Sequence, residues 1–438
     1  MQTGEVLRRV AYNALDAAKG GKMNRLLEVN MHEIVYGITP DYERRRISAL
    51  LEYAGKHCPY YRDIKSGSLD SFPVMNKMLY NEHRDEIISD EYADRKDSLA
   101  QLNTSGSTGV PFTVYADPVK MDHVFMNMMS VYMLNGFRMG MKRGEFRVWI
   151  EGRNALSPFR SFKNNIYMYD ISNMGDESLS HIVQRLKKER IQCIVAYSSA
   201  LTALVGYIRR ENIDVSDWDV EMIYSMGEAM PDSTYEAIEE TFGFPPVRSY
   251  GNNENGFIAI GLNGEKRYTV DLYNYYVEIL QMDSDEPALP GELGRIVVTD
   301  YYNRAFPMIR YDTGDTGRYE KVVDEMGRYH GYFTEIYGRR GSILYNTKGE
   351  PLSPHVFMNV LLKLEGKVHQ AKCIQMEKDR FELILNVDKE KADIDEVVGM
   401  YRRYLGDDAV IDITYVDEIP VQASGKRLVC EQRCPEYI

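Results

Sequence analysis

Between Phe146 and Tyr250 the sequence alternates short β-branched or aromatic runs with stretches long enough for helices. The runs are Phe146–Ile150, Ile166–Ile171, Ile191–Tyr197, Met222–Met226 and Val247–Tyr250. Asp176 is placed to cap a helix running to Arg190, and Ser199 one that ends near Asn212. Pro231–Phe242 carries proline in its first turn and Gly243 just past its last residue, the expected punctuation of a helix. Strands separated by such helices join through right-handed crossovers, so the sheet is parallel. Ligands of open parallel sheets gather at the carboxyl ends of the strands. Three runs end there in polar or glycine-containing turns: Tyr197-Ser198-Ser199, Gly227-Glu228-Ala229 and Tyr250-Gly251-Asn252-Asn253-Glu254. Three in succession make a candidate site.

The flanks read differently. The first hundred residues are helical and tyrosine-rich, with a helix over 42–56 that presents Ile47, Leu50, Leu51 and Tyr53 and stops at Pro59-Tyr60-Tyr61. After Asn255, Tyr268–Gln281 and Arg295–Thr299 alternate apolar and polar residues, with Pro290-Gly291 between them; this predicts antiparallel β structure. From Gly341 the pattern gives a helix near 355–363, strands at 368–376 and 380–387, a helix at 391–404 and a strand at 409–416, a compact α+β unit. The expected class is α/β: a large N-terminal domain with a parallel α/β sheet and an antiparallel β region, followed by a small α+β C-terminal domain. A chain of 438 residues exceeds one ordinary core.

Composition excludes several classes. A net charge of −13 makes the chain a poor general nucleic-acid binder. No apolar run approaches the ~18 residues of a membrane span, and the N-terminus lacks the apolar block of a secretory signal, so a cytoplasmic placement is expected. The five cysteines, at 58, 193, 373, 430 and 434, are odd in number and scattered. Cys193 and Cys373 read as buried free thiols; Cys430 and Cys434 would form half a metal site, with no second pair nearby.

The sharpest local feature is Thr104-Ser105-Gly106-Ser107-Thr108-Gly109-Val110-Pro111. Its glycines free the backbone to curl, and its hydroxyls and N–H groups suit phosphate oxygens. A polar hairpin turn is the competing reading. No Gly-Lys-Ser/Thr follows; strand-like Phe112–Tyr115 does. Asp117 then caps a helix with Pro118 at its first position. Along it Met121, Val124, Phe125, Met128, Met129 and Tyr132 fall at helical spacing, a stripe expected to face the core.

Six segments in this order resemble the adenylate-forming superfamily (acyl-CoA synthetases, nonribosomal adenylation domains, luciferases). The 104–111 loop resembles its phosphate loop. Tyr250-Gly251-x-x-Glu254 is similar to its Tyr-Gly-x-(Thr/Ser)-Glu motif, Gly291-Glu292-Leu293-Gly294 to its Gly-Glu-(Leu/Ile)-Gly turn, and Tyr311-Asp312-Thr313-Gly314-Asp315 to its Tyr-x-Thr-Gly-Asp segment. Gly338-Arg339 resembles its hinge, and Ser424-Gly425-Lys426 its C-terminal Gly-Lys motif. Cys58-Pro59-Tyr60-Tyr61-Arg62 and Phe72-Pro73-Val74 look like the phenylacetate–CoA ligase branch, especially members associated with capsular polysaccharide loci.

The resemblance implies a role for each residue. Thr104, Ser105, Gly106, Ser107, Thr108 and Gly109 would hold the β- and γ-phosphates of ATP. Tyr250, with Gly251, would lie against adenine, and Gly227, Glu228 and Ala229 along its edge. Asp315 would accept the ribose hydroxyls, and Arg339 would contact ribose or phosphate. Glu254 would bind Mg²⁺, and Lys426 would act as electrostatic catalyst between the substrate carboxylate and the α-phosphate. Trp149, Tyr197, Ser198, Met226 and Asn252 are the pocket candidates for a carboxylic acid. The domains implied are 1–338, binding ATP and acid, and a mobile lid, 339–438, bearing Lys426. Coenzyme A is the implied acceptor; an amine, a sugar or a carrier-protein thiol of a polysaccharide pathway is the alternative, in a monomer or homodimer. A non-catalytic nucleotide-binding protein of the same fold is a further reading. A dinucleotide oxidoreductase lacks its Gly-x-Gly-x-x-Gly. Three positions depart from the family pattern: Phe112 replaces the usual lysine after the loop proline, Asn253 the usual Thr or Ser, and Gly341 the usual hinge aspartate.

Overall fold

The computed structural model describes residues 2–64, 67–104, 112–147, 149, 155–171, 174–227, 229–262, 264–339, 344–349, 351–352, 357, 360, 368–387, 392–419 and 428–437. Packing divides the chain into two units, Met1–Gly140 with Ser249–Ile336, and Met141–Arg248 with Tyr337–Ile438.

Along the chain, β1 (Ala100–Thr104) and β2 (Phe112–Ala116) form an antiparallel pair that flanks the hydroxyl-rich loop, with Thr104 opposite Phe112. Next come β3 (Arg143–Arg147), β4 (Ile166–Asp170), β5 (Cys193–Tyr197) and β6 (Met222–Met226), a parallel sheet of order β4-β3-β5-β6. β7 (Ser249–Asn252), β8 (Gly256–Ile260), β9 (Tyr268–Val270), β10 (Tyr275–Leu280), β11 (Gly294–Asp300), β12 (Tyr311–Val323) and β13 (Tyr329–Arg339) make a seven-stranded sheet of order β10-β11-β12-β13-β9-β8-β7. β14 (Leu344–Tyr345) pairs with β15 (Pro351–Leu352). Finally β16 (Val368–Gln375), β17 (Arg380–Val387), β18 (Val410–Tyr415) and β19 (Cys430–Gln432) form a mixed sheet of order β18-β17-β16-β19, with the helix Ile394–Leu405 between β17 and β18.

The parallel sheet forms for the reason its sequence gives. β5 is Cys-Ile-Val-Ala-Tyr, buried through its first four residues, as a strand covered on both faces must be. The helices Asp176–Glu189 and Ser198–Arg210 bring Leu179, Ile182, Leu186, Leu201, Leu204 and Ile208 into the same core. The first of these begins one residue after Gly175 and the second directly after Tyr197, so neither expected cap sits at the cap position. In the C-terminal sheet Cys373 and Cys430 are register partners on β16 and β19, buried in its core. All five cysteines are buried, and none is in a disulfide. β19 lies in a segment that the sequence reading left without structure.

The fifth run behaves differently from the rest. Val247 makes one parallel bridge to Tyr224, giving its N–H to the Ile223 carbonyl (2.8 Å) and accepting from Ser225 (2.9 Å). The chain then leaves as β7, which pairs antiparallel with β8. The 250–254 turn therefore closes a hairpin and does not end a parallel strand. Ladder partners on β8 decide this, and a five-residue apolar pattern does not encode them.

The helix Pro118–Leu134 also departs from expectation. Met129 and Tyr132 are buried, but Phe125 is exposed, and Lys120, His123, Asn127 and Ser130 form a second buried stripe. Lys120, His123 and the Asn127 amide nitrogen find buried partners, as most buried polar groups do, while Ser130 Oγ and Asn127 Oδ1 are buried without one. His123 Nδ1 lies 2.8 Å from Asn274 Oδ1. Asn274 uses its amide on Asp271 (2.6 Å) and Asn30 (3.0 Å), so its oxygen is the acceptor and the neutral His123 ring carries its proton on Nδ1. Asp271 also accepts from Asn30 (3.1 Å) and Asn127 (2.5 Å).

Burial pushes the His123 pKa down to about 4; Lys120 and Arg46 act the same way, against the Asn274 bond and the Asp300 charge. In the unfolded chain the ring titrates near its ordinary value of ~6.5. Above that pH it is neutral in both states. As pH falls toward the folded value the unfolded chain binds the proton first, so stability is lost. Between pH 7 and pH 5 the wild type should lose roughly 2 kcal/mol of unfolding free energy that a His123→Gln variant does not lose, measured by urea unfolding at both pH values.

Candidate active site

Two glycine-dependent segments of the first unit build the site. β7 bulges between Tyr250 and Gly251. A Cβ on Gly251 would sit 2.3 Å from the Gly256 carbonyl oxygen, so no other residue fits this close crossing. The turn beyond it buries Glu254 at 1% exposure. The second segment is the start of β12, where Gly314 has φ +77° and lets the chain bend between Thr313 and Asp315. Gly314 N–H is held by Asp312 Oδ1 (2.9 Å) and Asp315 N–H by Thr313 Oγ1 (3.1 Å).

The two segments are joined twice. Tyr250 Oη donates to Asp315 Oδ2 at 3.0 Å, with Thr313 Oγ1 at 3.2 Å. Tyr311 Oη donates to Glu254 Oε1 at 2.8 Å. Burial, with the Asp315 and Glu254 carboxylates respectively, raises both phenols well above their usual range, so each stays a donor. Lys77 Nζ approaches the same Glu254 oxygen at 2.8 Å. It is the first residue of the short helix Lys77–Glu82, which Asn76 caps.

The base of the hydroxyl-rich loop reaches the same place. Phe112, the first described residue after it, is buried and stacks on Tyr311 with ring centroids 6.0 Å apart. Tyr80 meets both rings, at 5.9 Å and 5.7 Å. The family departure at position 112 thus supplies a core anchor for the exit of the loop. Thr104 ends β1; its side chain, and Ser105, Gly106, Ser107, Thr108 and Gly109, lie outside the described residues, as do Glu228, the Arg339 side chain and Lys426.

Around Glu254 the turn keeps unused hydrogen-bonding capacity. Asn252 Oδ1 accepts the Asn255 N–H (2.7 Å). Asn252 Nδ2 and both side-chain polar atoms of Asn255 are buried without a protein partner. Each such group costs about 1–3 kcal/mol unless a ligand or water meets it.

The remaining candidates gather in the second unit at the carboxyl ends of the parallel strands. Tyr197 and Met226 are register partners at the last positions of β5 and β6. Ser198 follows, buried, with its hydroxyl unpartnered. Gly227 turns out of β6 at φ +69°, and Ala229 is half-buried. Trp149, just past β3, donates its indole N–H toward the carbonyls of Tyr169 (3.2 Å) and Glu145 (3.3 Å), and its backbone N–H to Asp170 (3.2 Å). Its ring is tied to the ends of β3 and β4.

Sequence reasoning missed Lys77 and assigned no role to Tyr311. The Asn76-Lys77 pair carried a helix-start signal, but its partner lies in another segment of the chain.

The fold is that of the adenylate-forming acyl-CoA ligases. The crystal structure of 2-hydroxyisobutyryl-CoA ligase in the postadenylation state, in complex with R3-HIB-AMP, matches with a TM-score of 0.68 over 89% of this chain and 88% of that chain, at 15% identity. In sequence the chain is related to CapK and to phenylacetate–CoA ligases. It is 21% identical to protein CapK of Staphylococcus aureus over 88% of both chains. It is 21% identical to phenylacetate-coenzyme A ligase of Thermus thermophilus over 75% of this chain and 79% of the relative. Residues 344–431 match the CapK C-terminal domain family.

Proposed function

We propose that the chain activates a carboxylic acid with ATP, forming an acyl- or aryl-adenylate and pyrophosphate, and then passes the acyl group to coenzyme A. One observation carries this reading: Tyr250 and Glu254 on one hairpin meet Asp315 and Tyr311 on another strand, where the hydroxyl-rich loop re-enters the core at Phe112. The sequence relatives and the fold support the same chemistry at family level.

A carboxylate is a poor acyl donor because its oxygen leaves badly. In the proposed reaction an acid oxygen attacks the α-phosphorus, the bond to the bridging oxygen of pyrophosphate breaks, and AMP becomes the leaving group of the next step. Two anions must meet, so charge has to be offset and geometry fixed. The loop 104–109 would hold the outer phosphates. Tyr250 and Gly251 would form the adenine wall, Gly227–Ala229 its edge, and Asp315 would take the ribose hydroxyls. The buried Glu254 carboxylate, drawing a phenol proton and an ammonium to one oxygen, has the hard-oxygen chemistry that suits Mg²⁺ alongside substrate phosphates. When bound, Mg²⁺ offsets phosphate charge. Lys77 would move from Glu254 toward the phosphates as the site fills. Tyr197, Ser198, Met226, Trp149 and Asn252 would line the acid site, a mixed apolar and polar cavity.

Residues 339–438 would act as the lid, with Arg339 against ribose or phosphate and Lys426 swinging over the α-phosphorus. The alternative acceptor to coenzyme A is an amine, a sugar or a carrier-protein thiol. Among the described residues no helix is long and apolar enough to cross a membrane, and a cytoplasmic role is part of the reading.

ATP–pyrophosphate exchange with a panel of aryl, short acyl and amino acids tests the proposal. Wild type should exchange with at least one acid and Lys426→Ala should not. Exchange by neither chain, with ATP still bound in calorimetry, would favour a nucleotide-binding protein without catalysis.

A further inference from the structure

The helix that follows the loop carries a lysine buried at 1% exposure, Lys120. Its Nζ lies 2.6 Å from the Asn255 carbonyl oxygen and 2.5 Å from Asp300 Oδ2. It also stands over the Tyr275 ring, 5.2 Å from the centroid. Tyr275 Oη donates to the same Asn255 carbonyl at 2.5 Å. One backbone oxygen, a single peptide past Glu254, thus receives an ammonium and a phenol.

We propose that Lys120 is a positioning residue for Glu254, fixing the Asn255 peptide so that the preceding carboxylate keeps its place when Lys77 leaves it. The inference rests on the reading of Glu254 as the metal-side carboxylate. Taking an ammonium and a carboxylate out of water costs several kcal/mol per ion before their attraction is counted, and well-packed apolar residues often serve stability as well or better. A paired charge sunk here is therefore explained by where it points. The hairpin needs the help: its ladder is bulged beside Gly251 and Asn253 is exposed. The Glu254 side chain is otherwise held by Tyr311 and by Lys77, and Lys77 is 27% exposed, free enough to be drawn off by phosphate. Lys120 is itself anchored. Asp117 Oδ1 accepts the N–H groups of Val119 (2.7 Å) and Lys120 (2.9 Å), and its Oδ2 those of Arg304 (2.7 Å) and Ala305 (3.2 Å). Asp117 directly follows β2, the strand that leaves the phosphate loop. One helical turn therefore links the loop's exit to the peptide behind Glu254.

The test uses the full chain and two variants, Lys120→Met and Tyr275→Phe; the second removes one donor and keeps the ring should the first not fold. In Lys120→Met the Mg²⁺ concentration for half-maximal exchange should rise about tenfold or more, equivalent to one lost interaction of ~1.4 kcal/mol. Tyr275→Phe should shift it in the same direction by a smaller factor, and the acid KM should hold in both. Binding of Mn²⁺–ATP, followed by electron paramagnetic resonance without turnover, should weaken in parallel. A folded variant whose Mg²⁺ dependence and Mn²⁺–ATP affinity match wild type overturns the role of Lys120. A wild type with no divalent-dependent exchange overturns the reading of Glu254 itself, so the two failures are distinguishable.

Discussion

Replacing Glu254 with glutamine is expected to slow ATP–pyrophosphate exchange by ~10²–10³-fold, the usual loss when a preorganised group facing developing charge is removed. Glutamine has nearly the same volume and keeps an oxygen for the Tyr311 hydroxyl, which now donates at 2.8 Å. The negative charge alone is lost. Two consequences follow from the geometry. The hard anionic oxygen that suits Mg²⁺ is gone, and Lys77 loses the counter-ion it holds at 2.8 Å. The proposed function places both groups beside the triphosphate, so the loss should fall on exchange at saturating acid. Circular dichroism and thermal melting should show a folded chain, because the substituted side chain keeps its volume and the hydrogen bond from Tyr311. Exchange at wild-type rate in Glu254→Gln would remove this carboxylate from the chemistry.

What the sequence made legible follows how local each signal is. Three strands of the parallel sheet were readable because Cys193–Tyr197 and its neighbours carry their own apolar runs and the helices between those three their own periodicity, whereas the run read as Phe146–Ile150 shares only Phe146 and Arg147 with β3, and the helix Pro158–Asn164 after it was not read. Tyr250, Glu254 and Asp315 were readable because two motifs mark them, and the structure brings those motifs together. The fate of Val247–Tyr250 was not readable, since its ladder partners on β8 settle it. Lys120, His123 and Asn127 were hidden by the methionines around them. Their partners are 135, 151 and 144 residues away, so nothing in the helix's own sequence distinguishes a buried polar stripe from a solvated one. Lys77 was lost for the same reason: an ion pair between distant segments leaves no local periodicity.

Distance along the chain also explains why a residue inside a readable motif can matter for a reason that the motif does not state. Arg310 precedes Tyr311 and adopts φ +49°, an uncommon conformation for a side chain of its size. Its backbone N–H is held by Thr299 Oγ1 at 2.9 Å. Its guanidinium grips Glu278 through Nε (3.2 Å) and Nη2 (3.0 Å), and Nη1 donates to the Phe72 carbonyl at 3.0 Å. Burial raises the Glu278 carboxyl above its usual value, and Arg310 pulls it back. Arg310→Met should therefore cost about 3–5 kcal/mol of unfolding free energy at pH 7, the penalty of a buried carboxylate left without its partner. The sign of the pH dependence separates this cause from simple loss of packing. Without the guanidinium, the folded-state pKa of Glu278 stays raised above the unfolded one. The penalty is then full above that folded value and relaxes as pH falls and the carboxyl takes up a proton. Packing loss would be insensitive to pH. Adding Glu278→Leu to Arg310→Met should recover most of the loss at pH 7, because it removes the stranded charge and keeps an apolar side chain in its place. If the single variant loses less than about 1 kcal/mol, the start of β12, and with it Tyr311 and Asp315, is held by the bulge and ladder of the seven-stranded sheet and not by this ion pair.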